Sequence, residues 1–418
     1  MSQQGPILVV SSDAWPSFVT ALDEAKMFPV IQTGWADAAR AITQVQPTAV
    51  LAAMSGAVEA RFAALAEQIA ARKPYLPLIA VEPKSALPEN AVPFTQGQSQ
   101  GQGQGQGNVD RLVVRLRAAL RIRALHSAVL RRLEDEATAQ TKLPDPDPAR
   151  DATVLLLGRG AAFPALSVAL GERMGVVGAF SIEAAANHLN TRDLDGIVLG
   201  EGFTARVVHA FLTVLAEDAR FRNVPVVLTS AELAPTYDLP NLEIILGDPA
   251  HVACNALPLI RQHAFEGQLS RTLRAIEAGG LLDPQTGLLT KTAFDRDFAT
   301  AVEQTKSNGG GLSLARFAFD PGHPRAQLDG ARIISRLMRR MDFGALHGDG
   351  SVLVVFAETD LRAAHGIARR LFSVMRHTSH GKRDIRSEPV VSVASLAPSD
   401  SPASLLARLY GDTRRAAS

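Results

Sequence analysis

The chain has 418 residues, of which 46% are hydrophobic and 20% charged, so it is long enough for roughly two to four domains and can bury their cores. Its 43 basic and 42 acidic residues nearly balance, which excludes a strong overall attraction to nucleic acid. The single cysteine, Cys254, excludes a disulfide framework and fits a reducing cytoplasm. No apolar stretch approaches the roughly 20 residues of a membrane span, so membrane insertion is not expected.

Short apolar runs alternate with helix-like stretches through the first two thirds of the chain. Residues 6–10 predict a strand buried on both faces, and the alternation continues to a strand at 76–81. The same pattern starts again at 152–157 and ends in a long helix over about 250–278. Because strands that alternate with helices form parallel sheets covered on both faces, the same unit is predicted twice.

Two segments between these units are predicted to lie outside any core. A Gly/Gln repeat at 95–108 predicts a flexible insertion before a final helix that begins near Asp110. Three prolines within 141–151 predict an extended linker. The predicted domains are therefore 1–140 with its insertion, 152–278 after the linker, and 279–418.

The third segment is predicted to be an α+β unit. It opens with DPQTGLLTKTAF at Asp283–Phe294, and a strand follows at Leu312–Phe319. A basic helix is predicted over Ala331–Arg340, followed by a hairpin centred on His347–Ser351, whose Asp-Gly pair is a tight-turn signal. A strand, a helix, a strand and a last helix complete the unit.

The segment Asp283–Phe294 resembles the opening signature of the GGDEF family, and the two upstream units resemble receiver domains in the order and length of their elements. Together they resemble PleD/PopA-like response regulators with degenerate domains. The resemblance implies two flavodoxin-like, doubly wound parallel sheets followed by an α+β, nucleotidyl-cyclase-like GGDEF domain. It also implies a bacterial two-component signalling protein in the cytoplasm, with a cell pole as a location known in the family. A homodimer through the receiver domains and further, unidentified protein partners are expected.

The receiver resemblance implies a phosphorylation site that both units lack. Receivers hold Mg²⁺ with an acidic pair and accept phosphate on an aspartate at the end of the third strand. That aspartate falls on Ala53 in the first unit and on Gly200 in the second, and neither residue can accept a phosphoryl group. We therefore expect two pseudo-receivers that serve packing and dimerisation. Phosphorylation of a neighbouring acid, such as Asp13 or Glu201, is the alternative.

The GGDEF resemblance implies a cyclase whose catalytic groups are missing. Such enzymes join two GTP molecules with Mg²⁺ ions held by one acid on the first strand and another in the signature turn. The strand acid falls on Ala318. The turn aligns either with Asp349 as its third residue or, preferably, ungapped from Gly348, which puts Gly350 and Ser351 at the acidic positions. We therefore expect no catalytic residues, no bound metal, no cofactor and no enzyme activity; an active diguanylate cyclase is the least favoured alternative.

One motif of the family is retained, because Arg339 and Asp342 have the spacing of its RxxD inhibitory site, which binds cyclic di-GMP. Residues at this spacing share a helix face, and arginine and carboxylate groups can together read a guanine. The family's supporting arginine falls on Arg370, with Arg369 adjacent. Arg192–Asp195 has the same spacing without that alignment, so spacing alone is weak evidence. The sequence predicts a cyclic di-GMP-binding effector or adaptor; a nucleotide-independent scaffold is the alternative.

Overall fold

The structure, a computed structural model, describes residues 5–12, 16–24, 29–55, 58–95, 104–134, 147–230, 237, 239–376, 378–379 and 388–416. Within these ranges the strands form three sheets. None of the described helices combines the length and the apolar character needed to cross a membrane.

The first sheet is parallel, and its strand order is β2-β1-β3-β4-β5. Its strands are β1 (Ile7–Val10), β2 (Val30–Thr33), β3 (Ala49–Ala53), β4 (Leu78–Val81) and β5 (Ala91–Phe94). Its helices are α1 (Ser17–Glu24), α2 (Ala38–Val45), α3 (Glu59–Ala70) and α4 (Gln104–Leu133). Alternate residues of β1 enter the cores on opposite faces, Leu8 with α2 and α3 and Ile7 with α1 and α4, which explains its uninterrupted apolar run.

Two features of this unit differ from the prediction. Strand β5 was not predicted, because its four residues include Pro93, and proline is tolerated only at a sheet edge, where β5 lies. Helix α4 begins at Gln104 rather than near Asp110, so the end of the Gly/Gln repeat is helical rather than a flexible insertion. Residues 96–103 of that repeat lie outside the described residues.

The second sheet repeats the same order from the opposite edge, β10-β9-β8-β6-β7, and its five strands are parallel. These are β6 (Thr153–Leu157), β7 (Gly175–Ala179), β8 (Gly196–Leu199), β9 (Val226–Leu228) and β10 (Leu242–Ile244). The helices are α5 (Phe163–Gly171), α6 (Ile182–Thr191), α7 (Ala205–Glu217) and α8 (Pro249–Glu277). Both sheets have the flavodoxin-like strand order, which confirms the two predicted doubly wound parallel sheets.

The predicted extended linker is wrong over its last residues. Pro148–Asp151 forms a 3₁₀ helix whose Pro148 and Ala149 are buried. The side chain of Asp147 caps it by accepting a hydrogen bond from the backbone N of Ala149 at 3.2 Å. This turn therefore belongs to the packed structure, whereas residues 141–146 of the predicted linker lie outside the described residues.

The third sheet is antiparallel with the order β12-β13-β11-β15. Its strands are β11 (Leu312–Ala318), β12 (Phe343–Leu346), β13 (Ser351–Ala357) and β15 (Val390–Ser395), and the short β14 (Thr378–Ser379) joins the second sheet instead. Helices α10 (Pro324–Leu337) and α11 (Leu361–Met375) cover one face, and α9 (Lys291–Asn308) and α12 (Pro402–Ala416) cover the other.

The two parallel-sheet units pack against each other within the chain. Ile122 and Val129 of α4 contact Leu269 and Ile276 of α8 in one apolar cluster. Beside it, Arg115 of α4 forms an ion pair of 2.9 Å with Glu243 of β10, and both side chains are 1% exposed. Arg115 also donates to the backbone oxygens of three residues: Pro93, Pro240 and Leu242. Because the surfaces of α4 and α8 already contact each other inside the chain, the predicted homodimer would have to form through a different surface of these units.

The third unit is fixed to the second by arginines and by a strand. Arg192, 1% exposed, forms an ion pair of 3.2 Å with Asp329 of α10 and donates to the carbonyl oxygen of Val374. Arg336 of α10 pairs with Asp193. Strand β14 adds antiparallel to the free edge of β7. Arg192, whose spacing to Asp195 matches the motif without its alignment, therefore joins the two units.

Candidate functional site

The predicted ligand-binding motif lies in a turn, not on a helix. Helix α10 ends at Leu337, and the following Met338 has an extended backbone with ψ 148°. The backbone N of Asp342 then donates to the carbonyl oxygen of Arg339 at 3.0 Å, which closes a turn before β12. The prediction of a basic helix over 331–340 is therefore wrong at both ends. Proline at the first turn starts the helix earlier, and the extended residue stops it before the motif.

Asp342 holds this turn against the end of β13. Its side chain is 7% exposed, and its two carboxylate oxygens accept from the backbone N of Arg339 and of Ala357, each at 3.3 Å. Burial raises the pKa of Asp342. The two hydrogen bonds and the positive charges of Arg339 and Arg370 act to lower it but do not outweigh burial. An ionised carboxylate has about four acceptor positions, so about two remain for a ligand.

Three of the four predicted binding residues interact electrostatically. Arg339 in the turn and Arg370 on α11 are exposed, and both act electrostatically on Asp342. Arg369 is separate, because it lines a groove of about 440 Å³ between α11 and β15 together with His365 and Phe372. Arg370 and Arg369 thus line different surfaces, and the choice between them as the supporting arginine stays a prediction.

The positions expected to hold catalytic metal ions face each other across two strands. Ala318 ends β11 directly opposite Ser351, the first residue of β13. A backbone hydrogen bond closes the hairpin between β12 and β13: the backbone N of His347 donates to the carbonyl oxygen of Ser351 at 2.8 Å. Gly350 completes the turn with φ +81°, a conformation that favours glycine. A methyl group and a hydroxyl group thus stand where the resemblance implies two metal-binding acids.

The remaining acid of the hairpin, Asp349, is paired with an arginine. Arg316 of β11 donates to its Oδ2 at 2.9 Å and lies over the ring of Tyr410, 4.5 Å from the ring centre. The hydroxyl and the backbone N of Ser351 donate to its Oδ1 at 2.7 and 3.0 Å. Burial acts to raise the pKa of Asp349, but these donors outweigh it and lower the pKa to about 2. A guanidinium therefore supplies the positive charge at this carboxylate.

The space between β11 and α10 is filled by an aromatic ring. Phe319, 6% exposed, packs on Gly330, where a Cβ atom would lie 2.2 Å from the ring. Asp320 is held in the loop by a hydrogen bond of 2.9 Å from the backbone N of Gly322 and by a hydrogen bond of 3.1 Å with Nδ1 of His323. The described residues contain no group of three or more acidic, histidine or cysteine side chains arranged to hold a metal ion.

The segment that carried the resemblance forms a compact turn between α8 and α9. The Asp283 carboxylate accepts from the backbone N of Gln285 at 2.8 Å and from the hydroxyl of Thr286 at 3.1 Å. Gly287 has φ +75°, and a Cβ atom there would lie 3.1 Å from the hydroxyl of Ser335 on α10. The turn that begins at Asp283 is therefore held by internal hydrogen bonds and connects the long helix α8 to the third unit.

At the two expected phosphate-accepting positions there is no acid. Ala53 ends β3 and is 7% exposed. Beyond Gly200, the backbone oxygen of Glu201 accepts from the backbone N of Arg159 and of Gly160, at 2.8 and 3.1 Å. A Cβ atom on Gly160 would lie 2.6 Å from Cβ of Glu201, so the two loops are in close contact at this edge of the sheet. The alternative acceptor Asp13 lies outside the described residues.

Sequence reasoning missed the residues that fill and neutralise the cyclase-like site. Arg316 within the apolar run of β11 was a signal, since a charged residue inside a buried strand needs a partner. Its partner, Asp349, lies across a strand pair and cannot be identified from spacing. The contact between Phe319 and Gly330 likewise joins a strand end to a helix and leaves no local pattern.

No family model matches the chain, and no curated protein matches it significantly. Among solved structures it is similar to the GGDEF domain of DgcB from Caulobacter crescentus in complex with c-di-GMP, with 18% identity over 32% of this chain and 89% of that one, at a TM-score of 0.30. It is also similar to the FimX GGDEF domain from Pseudomonas aeruginosa, with 18% identity, 31% and 90% coverage and a TM-score of 0.29. The active GGEEF domain of a diguanylate cyclase from Vibrio cholerae has 16% identity, 31% and 92% coverage and a TM-score of 0.29. TM-scores this low do not establish a shared fold.

Proposed function

We propose that this protein is a non-catalytic member of the GGDEF family that binds cyclic di-GMP and acts as an effector or adaptor. The observation that carries the proposal is that two exposed arginines, Arg339 in the turn and Arg370 on α11, both act electrostatically on the buried carboxylate of Asp342. The two arginines come from different elements, so their common action on Asp342 results from the fold rather than from chain proximity.

The turn offers the chemistry that a guanine nucleotide needs. The guanidinium of Arg339 can donate a fork of hydrogen bonds to guanine O6 and N7. The free acceptor positions of Asp342 can accept from the guanine N1–H and N2–H₂. Arg370 adds positive charge for a phosphate. Because Asp342 already holds the turn through backbone amides, its carboxylate is oriented before any ligand arrives.

Three features of the third unit argue against cyclase activity. Ala318 and Ser351 offer no carboxylate across the β11–β13 pair. Asp349 is neutralised by Arg316. Phe319 packs directly on Gly330 and so occupies the space between β11 and α10. Incubation with GTP and Mg²⁺ or Mn²⁺ should therefore give no cyclic di-GMP, as measured by chromatography of the products. Turnover that Asp349→Ala abolishes would contradict this.

Calorimetric titration of the full chain with cyclic di-GMP tests the binding site. We expect micromolar or tighter binding by the wild type. Arg339→Ala should weaken it by roughly 2–4 kcal/mol, because the ligand then loses the charged hydrogen-bond donors of the guanidinium. The backbone N of residue 339 still donates to Asp342, so the turn is kept. Arg370→Ala should weaken it less, since an exposed arginine contributes mainly long-range attraction to a phosphate.

The control is Arg206→Ala, an exposed arginine on α7 of the second unit, which should leave the affinity unchanged. Arg192 is unsuitable as a control because it is buried between two units. Wild-type protein that shows no heat of binding, or Arg339→Ala protein that binds as tightly as wild type, would favour the scaffold. That second candidate is supported by the use of both Asp342 oxygens in a structural turn.

A further inference from the structure

A second cavity lies between the first two units, far from the Arg339 turn in the chain. It has a volume of about 210 Å³ and is lined by the end of α3, the segment before β4, α4 and α8. A dry cavity of about 150 Å³ holds a benzene ring, and drug-sized ligands need about 300 Å³ or more. This cavity therefore has room for one ring with a small substituent.

The floor of the cavity is aromatic. Tyr75 and Phe265 meet edge to face with ring centres 5.6 Å apart, and His126 meets Phe265 in the same way at 5.2 Å. Tyr75 and His126 belong to the first unit and Phe265 to α8 of the second. Aromatic rings in this arrangement offer edges and faces to a further ring.

Two neutral hydrogen-bond donors stand in this aromatic floor. Nδ1 of His126 accepts from the backbone N of Tyr75 at 2.9 Å, so the neutral imidazole carries its proton on Nε2. Burial, and then the charges of Lys73 and Arg123, lower the pKa of His126, which keeps it neutral. The Tyr75 hydroxyl accepts from Gln262 at 3.0 Å, and burial raises the pKa of Tyr75 to about 12, so its proton also remains.

Positive charge exceeds negative charge around the cavity. Arg72, Lys73 and Arg261 line it. Arg261 pairs with two carboxylates, Glu89 at 3.2 Å and Asp147 at 3.5 Å, which more than balance its own charge. Arg72 and Lys73 provide the excess, and Arg123 adds a further charge next to His126. A ligand in this cavity would therefore contact aromatic rings, neutral hydrogen-bond donors and positively charged side chains.

We propose that this cavity binds a small aromatic anion, a single ring that carries a carboxylate or a phosphate. The ring would lie on Tyr75 and Phe265, and the acidic group would accept from Nε2 of His126 and face Arg72 and Lys73. Such a ligand contacts both parallel-sheet units at once, so its binding stabilises the packing of α4 on α8. This inference does not depend on the cyclic di-GMP site.

The test is calorimetric titration of the full chain with phenyl phosphate and with benzoate, compared with neutral benzyl alcohol and with inorganic phosphate. We expect one phenyl phosphate or benzoate per chain. Benzyl alcohol and inorganic phosphate should each bind at least tenfold more weakly, since each lacks one of the two recognised groups. Cyclic di-GMP should not displace phenyl phosphate, because the two sites are separate.

The double variant R72Q/K73Q should weaken phenyl phosphate binding at least tenfold. The melting temperature of the variant protein should fall only slightly, because Lys73 is exposed and Arg72 loses one exposed hydrogen bond of 2.9 Å to Thr43. The matched control is Arg61→Gln, an exposed arginine on α3, which should bind like the wild type. Equal binding by benzyl alcohol, equal binding by the double variant, or no binding of either aromatic acid at millimolar concentration would overturn the proposal.

Discussion

The carboxylate of Asp349 is kept ionised by its neighbours in the β12–β13 hairpin. Its pKa of about 2 in the folded protein lies below the roughly 3.9 of an unfolded aspartate. A lowered folded pKa contributes stability that is present above about pH 4 and is lost as the pH falls through about 2. The contribution is limited to about 1 kcal/mol, because the side chain is 38% exposed and solvent screens its ion pair.

Asp349→Asn should therefore be less stable than the wild type at pH 7, and this difference should shrink between pH 4 and pH 2. Chemical unfolding at several pH values measures both quantities. Glu303→Gln, at an exposed position on α9, is the control and should show no such trend. A difference between Asp349→Asn and wild type that stays constant with pH would contradict the assigned pKa.

At the scale of elements, α10 is the helix that connects the third unit to the second. Arg192 reaches it from the end of α6, and its buried guanidinium serves both Asp329 on α10 and the carbonyl of Val374 at the end of α11. Arg332 of α10 adds a hydrogen bond of 3.0 Å to the backbone oxygen of Asp151. These contacts hold α10 and the end of α11 to the edge of the second sheet at which β6 and β8 begin.

Arg192→Met should loosen this contact, because methionine keeps an apolar stem but removes the guanidinium that pairs with Asp329 and donates to the Val374 carbonyl. Breaking a buried ion pair costs about 3–5 kcal/mol. Hydrogen–deuterium exchange should therefore become faster in α10 and α6. Arg220→Met, which removes an exposed arginine paired with Asp218, is the control. Exchange in α10 that matches wild type would show that the remaining contacts, from Arg332, Arg336 and the β14–β7 pairing, hold the units together without Arg192.

The elements that the sequence predicts well are those whose own residues determine them. Apolar runs such as 152–157 gave the parallel strands, and the Asp-Gly pair at 349–350 gave the hairpin. The elements it missed depend on the surroundings. Strand β5 is short and contains Pro93, and it is stabilised by its place at the sheet edge beside α4. The end of α10 is set by the turn that Asp342 closes from outside the helix.

The candidate site was predictable only as a set of residue types. Alignment with the family motif identified Arg339, Asp342 and Arg370, and in the fold both arginines act electrostatically on Asp342. The alignment could not show that Arg369 lines the groove between α11 and β15 and Arg370 does not, because the two residues are adjacent in sequence. The role of Arg192 was missed for a related reason, since its partners come from the third unit and no local spacing reveals them.

At the scale of the whole molecule, the two parallel-sheet units are joined through a buried ion pair. Burial raises the pKa of Glu243 and lowers the pKa of Arg115, because removal from water disfavours both charged forms. For buried ion pairs in general, this cost can equal or exceed the attraction between the charges. The pair therefore specifies how the units fit together more than it adds stability. Loss of one partner leaves the other charge buried without a counter-charge, and only hydrogen bonds to the backbone remain to offset its burial.

Glu243→Gln should destabilise the full chain by about 3–5 kcal/mol, because the Arg115 charge stays buried without a counter-charge. The control is Glu266→Gln at the same interface, since the Arg121 side chain of that pair is 46% exposed. It should cost less than about 1 kcal/mol. Urea unfolding followed by circular dichroism compares the two variants. Equal midpoints for both would mean that water reaches the Glu243 pair.

The pairing of β14 with β7 has a consequence for the newly made chain. The open edge of a parallel sheet is a template for aggregation with other chains, and here the cover of that edge comes from Thr378–Ser379, late in the sequence. A ribosome adds roughly 5–20 residues per second, so the β7 edge stays open for on the order of tens of seconds after its own sheet has been made. A chain cut short after α8 would keep that edge open permanently, and we expect it to aggregate where the full-length protein does not.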